Sequence, residues 1–246
     1  MSSQLQPQAL ITGAAQRIGE SIARHLHSRG LDVLLHYRNS DLAAAGLMAE
    51  LNDKRSQSAG LIQADLARPE DVDRMVKTVL DHGQRLRLLV NNASGFHPTP
   101  VGQVSGEEWK NLMGSNLRGP FFLAQGLAPQ LAKNTGCIIN IIDIHARKPL
   151  RDYSVYCIAK AGLEMMTLSL AKELGPEVRV NGVAPGAILW PDGMAPETRE
   201  KIIQQTALQR QGEVADIAGA VAFLGLDAPY VTGQVLAVDG GRSLNL

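Results

Sequence analysis

Short apolar runs rich in β-branched residues alternate with longer amphipathic stretches along most of the chain. Ala9-Leu10-Ile11 precedes a glycine-containing turn, and a helical spacing of apolar positions follows from Arg17 to Arg29, which predicts strand, turn, helix. The alternation continues with a strand at Asp32–Tyr37, a helix at Leu42–Leu51, a strand at Gly60–Ala64 and a helix at Pro69–His82. Leu86–Val90 and Cys137–Ile142 read as strands, with helical sequence from Glu107 to Lys133 between them. Tyr153–Leu174 reads as a long helix, Val178–Val183 as a strand, Pro196–Leu208 and Val214–Leu226 as helices, and Gln234–Val238 as the last strand. Near-continuous apolar strands suit a parallel sheet buried on both faces. About seven strands alternating with helices predict an α/β fold, a doubly wound, seven-stranded parallel sheet flanked by helices on both faces. No repeat, low-complexity tract or linker divides the chain, so residues 1–246 are read as a single domain. The one long connection, Ala184 to Pro196, holds three prolines and two glycines and reads as a lid, with a substrate loop expected over about 184–208.

Composition narrows the function classes. Of 246 residues, 45% are hydrophobic, and 24 basic residues balance 24 acidic ones, which excludes a disordered tail. Zero formal charge gives no general electrostatic reason to bind nucleic acid or anionic lipid, so neither partner is expected. Apolar runs are far shorter than the ~20 residues of a membrane helix. The segment MSSQLQPQ lacks the basic stretch and apolar core of a secretory signal, so a soluble, cytoplasmic protein is expected. Cys137 and Cys157 have no metal-ligand spacing, so reduced thiols and no metal are expected.

Two regions carry candidate chemistry. TGAAQRIG, Thr12 to Gly19, lies between the first strand and first helix, where Gly13 permits a tight turn and the helix start offers N–H groups to a phosphate. The dinucleotide fingerprint has three glycines, whereas here Gly13 and Gly19 flank Arg17, and a Gly turn closing an ordinary strand–helix connection is the alternative. The second strand ends in His36-Tyr37-Arg38-Asn39-Ser40. A guanidinium beside an amide and a hydroxyl can hold a 2′-phosphate where an acid would repel it, which favours NADPH over NADH; a solvated strand end is the alternative. Asp65 follows the third strand and either accepts from the adenine amino group or caps the next helix.

Tyr156 and Lys160 are four apart on a predicted helix, so they share a face with Cβ atoms about 6 Å apart. An ammonium there is expected to pull the phenol pKa down from about 10 and make Tyr156 a better proton donor near neutrality. Tyr-x-x-x-Lys also arises by chance as a surface contact. Asp143 ends the strand before this helix, Asn91-Asn92-Ala93-Ser94 ends the strand before that, and Asn116 lies between. Strand C-termini are where open α/β sheets place ligands, so these polar groups converge on one edge. Each by itself is equally a cap or turn residue.

TGAAQRIG, NNAS, Asn116, YCIAK and the NGVAPG stretch from Asn181 to Gly186, in this order and spacing, resemble the short-chain dehydrogenase/reductase family across essentially the whole chain, which implies a Rossmann-type fold. Arg17 in place of a glycine, Ser94 in place of the glycine of NNAG, and Asp143 at the usual catalytic serine position resemble its pteridine reductase subgroup, as do HYRNS, NNASGFHPTP and GVAPGAILWP. The resemblance implies an NADPH site from Gly13, Arg17, Ile18, Tyr37, Arg38, Asn39, Ser40, Asp65, Leu66, Asn92, Ala93, Ser94, Tyr156, Lys160, Pro185 and Gly186. It implies that Tyr156 and Asp143 deliver protons, that Lys160 binds the nicotinamide ribose, and that Asn116 organises Lys160 through water. Phe96 would stack on a pterin, Arg17 and Ser94 would touch both cofactor and pterin, and Leu189 and Trp190 would line the pocket. Phe96 and Trp190 are alternatively core or subunit-contact residues. Ile188 stands where the family often has a hydroxyl for pyrophosphate, which leaves backbone groups to serve there. A homotetramer is expected by the same resemblance.

The chemistry of Asp143 bears on the substrate. A ketone develops negative charge on oxygen, which a carboxylate at position 143 would repel, whereas reducing C=N in a dihydropteridine needs a proton on ring nitrogen. The expected activity is therefore NADPH-dependent reduction of a dihydropterin or dihydrofolate. A carbonyl reductase such as a 3-oxoacyl-thioester reductase is the enzymatic alternative, and a catalytically silent NADP-binding protein is the third reading.

Overall fold

The computed structural model describes residues 6–82, 85–191 and 193–245. Met1–Leu5 of the N-terminal segment and Asp192 of the expected substrate loop lie outside the described residues. Seven parallel strands, β1 (Gln8–Ile11), β2 (Asp32–Tyr37), β3 (Ala59–Gln63), β4 (Leu86–Asn91), β5 (Cys137–Ile141), β6 (Arg179–Pro185) and β7 (Val235–Val238), form one sheet in the order β3-β2-β1-β4-β5-β6-β7. Helices α1 (Arg17–Ser28), α2 (Asp41–Lys54) and α8 (Val214–Ala222) cover one face; α3 (Pro69–His82), α5 (Gly119–Lys133) and α6 (Ser154–Glu173) cover the other. The two cores follow from the strand pleat. Ala9 and Ile11 of β1 face the first helix layer and Leu10 the second, and all three are fully buried.

Strand order reverses between β1 and β4, because the chain winds outward to β3 and then returns. At such a switch point the loops leaving β1 and β4 diverge and open a crevice at the strand C-termini. The predicted helix over Glu107–Lys133 is three pieces: α4 (Gly106–Met113), a π-helical turn Gly114–Arg118, and α5. The turn passes so close to the 66–67 backbone that a Cβ on residue 119 would lie 2.7 Å from the Leu66 carbonyl oxygen. The helix predicted to Leu208, α7 (Pro196–Gln204), ends four residues early. The Leu208 N–H there donates to the Gly240 carbonyl at 3.0 Å, recruited by the C-terminal turn. Among the described residues no helix is long and apolar enough to cross a membrane, and no cluster of side chains has the makings of a metal site.

Candidate active site

The glycine loop is held from three sides. Gly13 has φ +63°, and a Cβ on Gly19 would lie 2.1 Å from the Gly13 carbonyl oxygen, so the start of α1 packs directly on the loop. Thr12 Oγ1 accepts N–H bonds from Asn92 and Ala93, both at 2.9 Å, and the Asn92 amide donates to the Thr12 and Gly13 carbonyls at 2.8 and 3.1 Å. The end of β4 is thereby stitched to the end of β1. His36 completes the frame: its Nδ1 accepts the Gly13 N–H at 3.0 Å and its Nε2 lies 3.1 Å from the Ala64 carbonyl oxygen, which fixes the neutral tautomer with the proton on Nε2.

Burial pushes the His36 pKa down from 6.5 to about 4, against the opposing pull of the Ala64 bond and the Asp65 charge. Its folded pKa is depressed below the unfolded value, so the unfolded chain binds the proton more tightly between these pH values. Stability is complete above pH 6.5 and falls as pH drops toward 4, by about 3 kcal/mol in all. A His36→Gln variant should show a flatter dependence of thermal midpoint on pH across this window, and equal slopes would show that His36 is not the titrating group.

Arg17 opens α1 with φ +58°, a left-handed conformation that costs a non-glycine residue about 1 kcal/mol. No side chain caps this helix at Gln16, so its first N–H groups are open to a ligand. Every expected site residue except Asn116 lines one cavity of about 560 Å³, which runs from Tyr37, Arg38, Asn39 and Ser40 past Ile18, Asp65 and Leu66 to Tyr156, Leu189 and Trp190. Asp65 Oδ1 accepts the Ala67 N–H at 3.0 Å, so it caps the turn into α3 while also facing the cavity. Pro185, which ends β6, and Gly186 line the cavity, and Ile188 packs in the core with 4% exposure.

At the other end, Tyr156 on α6 donates its phenolic proton to Asp143 Oδ2 at 2.7 Å, and Asp143 Oδ1 accepts the His145 N–H at 2.8 Å. Lys160 is buried, and its ammonium donates to the Ile141 carbonyl at 2.9 Å, 5.6 Å from the Tyr156 ring centre. This overturns the expectation that Lys160 depresses the phenol pKa. Burial raises the Tyr156 pKa well above its ordinary value, the Asp143 charge and hydrogen bond raise it further, and Ser94 opposes them weakly. Lys160 points its ammonium at a backbone carbonyl, while the carboxylate touches the phenol directly. Burial also pushes Lys160 down to about 8, with Asp143 pulling the other way, so it remains largely charged at neutral pH.

Asn116 is fully buried in the π-helical turn. Its amide donates to the Gly95 and Leu112 carbonyls at 3.1 and 3.0 Å, and its Oδ1 accepts the Ser94 hydroxyl at 2.6 Å. It therefore anchors the Ser94–Gly95 loop, and among the described residues it makes no direct hydrogen bond to Lys160. Phe96 is 43% exposed and stacks on Tyr153 at 4.5 Å, with its ring edge-on to Tyr156 at 4.9 Å. Thr99 pins this loop to α6: its carbonyl accepts the Ser154 hydroxyl at 3.0 Å and its hydroxyl accepts the Val155 N–H at 3.3 Å. The roles of His36, Thr99 and Tyr153 were not found by sequence reasoning. Only the parity of β2, which turns His36 away from Tyr37, carried any signal for the first.

The donor set fits a phosphorylated dinucleotide. Open N–H groups and Arg17 sit at the glycine loop, Arg38 with Asn39 and Ser40 at the far end, and the proton-donating phenol at the near end. A family model described as enoyl-(acyl carrier protein) reductase matches residues 13–243. The chain is 37% identical to pteridine reductase 1 of Leishmania tarentolae, over 97% of this chain and 96% of that one. It is 36% identical to a 3-oxoacyl-(acyl-carrier-protein) reductase of Staphylococcus aureus over 95% and 96%, and 35% identical to one from Synechocystis over 95% of each. Reductases of these types use NADP(H). The chain belongs to the short-chain dehydrogenase/reductase family and is an NAD(P)-dependent oxidoreductase.

Proposed function

We propose that this protein is an NADPH-dependent pteridine reductase that reduces dihydropterins or dihydrofolate to their tetrahydro forms. One observation carries the reading: the phenol that must give up a proton is hydrogen-bonded at 2.7 Å to a carboxylate. A carboxylate beside a developing alkoxide costs transition-state stabilisation, whereas beside a ring nitrogen that gains a proton it does not. The similarity to a pteridine reductase supports the choice, and the comparable similarity to 3-oxoacyl reductases supports only the shared reductase chemistry.

When bound, NADPH supplies a hydride to the carbon of the C=N bond. The electron pair of that bond moves onto nitrogen, and the Tyr156 proton follows it. Lys160, its ammonium bonded to the Ile141 carbonyl, would hold the cofactor ribose, and Asp143, reached by solvent through the cavity, relays a proton back to the phenolate. Phe96 offers an exposed aromatic face to a flat heterocycle. Leu189 and Trp190 line the same cavity. Ser94, held by Asn116, hydrogen-bonds the phenol side of the site.

Arg17 keeps a left-handed backbone that glycine would adopt without strain, and it lines the cavity where its side chain would contact both cofactor phosphate and pterin. Arg17→Gly is expected to leave thermal stability unchanged or slightly raised while weakening NADPH binding about tenfold, the loss of one charge-assisted contact. A fluorescence titration beside a melting curve checks both.

Steady-state assays test the function itself, with dihydrobiopterin, dihydromonapterin, dihydrofolate and acetoacetyl thioester, each with NADPH and NADH at matched concentrations. Turnover of the pterins with NADPH is expected; turnover of the thioester alone would make the protein a carbonyl reductase, and better rates with NADH would remove Arg38 from cofactor selection. The protein is further read as a cytoplasmic homotetramer. Phe121 and Phe122 on α5 and Ile158, Met165 and Leu168 on α6 expose large apolar side chains, a patch that a second copy would bury. Light scattering at four times the 26.4 kDa chain mass is the expected result.

A further inference from the structure

The turn after β7 carries a group that the mechanism above leaves unused. Asp239 accepts the Gly241 and Ser243 N–H groups at 2.9 and 2.8 Å, and its carbonyl accepts the Arg242 N–H at 3.1 Å. The turn is clasped to the segment after α7, where Asn245 donates to the Gln205 carbonyl at 2.9 Å. Arg242 is consequently held in one place. It is 8% exposed, and it lines the same cavity as Asp143 and Tyr156. Its Nε is buried without a hydrogen-bond partner. Burial lowers its pKa from the usual arginine value, and the charges of Asp143 and Asp239 pull it back up. Asp239 has both carboxylate oxygens engaged by backbone N–H groups.

A buried guanidinium with an unmet donor is costly, and the attraction of Asp143 and Asp239 offsets only part of that cost. Nε itself is closed off, but the Arg242 side chain lines the cavity, so a guest there can offer an acceptor to the rest of the fork. Arginine only donates, through five N–H groups in a flat fork, so a cationic or apolar guest leaves it unsatisfied while a carbonyl or carboxylate oxygen does not.

We propose that Arg242 is a substrate-binding residue that takes an oxygen acceptor of the substrate, a ring carbonyl or a carboxylate, and so selects which molecules seat against Tyr156 and Asp143. The inference deepens the reductase reading and rests on that site. It adds a requirement: the guest carries an oxygen acceptor within reach of Arg242.

Arg242→Met keeps the length of the side chain without charge, and Arg242→Lys keeps the charge without the fork. Binding of 6-methyl-7,8-dihydropterin, dihydrofolate and acetoacetyl thioester to the NADP+-loaded proteins is measured by calorimetry, with melting of the ligand-free proteins alongside. Arg242→Met should melt about 3 °C above the wild type, since a buried donor without a hydrogen-bond partner is gone, and should bind the preferred substrate at least tenfold more weakly. Arg242→Lys should recover part of that affinity. Loss for dihydrofolate alone identifies a carboxylate as the acceptor, and equal loss for both pteridines identifies the ring carbonyl. Affinities within twofold of wild type for every compound that binds, a lowered melting point for Arg242→Met, or no binding of any of the three to the wild type would each overturn the proposal. Which compound the wild-type enzyme turns over decides the preceding reading separately.

Discussion

Tyr156→Phe is expected to lower turnover by about 10³-fold, close to 4 kcal/mol of transition-state stabilisation, with NADPH affinity within twofold of wild type. The substitution removes one oxygen and one proton. The ring stays in place, edge-on to Phe96 at 4.9 Å and buried on α6. The α1 start and the end of β2, where the cofactor's phosphates are proposed to bind, lie at the other end of the cavity. Single-turnover absorbance of NADPH together with a binding titration separates the two effects. Unchanged turnover would remove Tyr156 as the proton donor. Equal losses in binding and turnover would show that the ring positions the cofactor and that the proton comes from elsewhere.

Asp143→Ser has the second largest expected effect, and it changes the kind of substrate as well as the rate. Replacing the carboxylate by a hydroxyl removes the charge and the hydrogen bond that raise the Tyr156 pKa, leaving burial and a smaller push from Cys157. The phenol pKa therefore falls. Activity that needs the protonated phenol is lost as pH rises through that pKa, so the alkaline limb of the pH–rate profile should move to lower pH in the variant. Pteridine reduction should drop about a hundredfold, because the proton relay is gone. Reduction of acetoacetyl thioester should rise, because a hydroxyl donates to a developing alkoxide that the carboxylate repels. A variant that loses both activities in proportion, with no movement of the alkaline limb, would show that Asp143 only supports the loop through His145. It would also remove the main argument for a C=N substrate.

The two variants bear on each other because the residues form one hydrogen-bonded unit. Tyr156 donates to Asp143, so removing the carboxylate leaves the buried phenol without its partner, and removing the phenol leaves one oxygen of the partly buried carboxylate without its donor. Their effects on turnover should be well short of additive in the double variant, as expected for residues that act together.

Much of this molecule was legible in the chain itself. The apolar runs at Ala9–Ile11, Asp32–Tyr37 and Leu86–Val90 became β1, β2 and β4 with boundaries shifted by at most one residue. Parallel strands buried on both faces leave a strong local signal. TGAAQRIG, the HYRNS run and the Tyr156–Lys160 spacing were also readable, because a phosphate cradle and an i, i+4 pair are set by residues close in sequence. Where sequence reasoning went astray, long-range packing had intervened. The π-helical turn at Gly114–Arg118 arises from close approach to the 66–67 backbone, and α7 stops at Gln204 because the C-terminal turn takes over its following backbone.

What the sequence alone determined is therefore the order of strands and helices, the edge of the sheet at which polar groups gather, and the residue types available there. The tertiary structure decided the protonation chemistry. Whether Lys160 or Asp143 governs the phenol depends on which of them touches its oxygen, and that is a matter of a few ångströms across separate elements. It also decided the neutral state of His36, which needs burial between Gly13 and Ala64, and the presence of Arg242 in the cavity, which no local pattern near the chain's end announces. Electrostatic energies fall steeply with distance and rise with burial, and neither quantity is written in a spacing of letters.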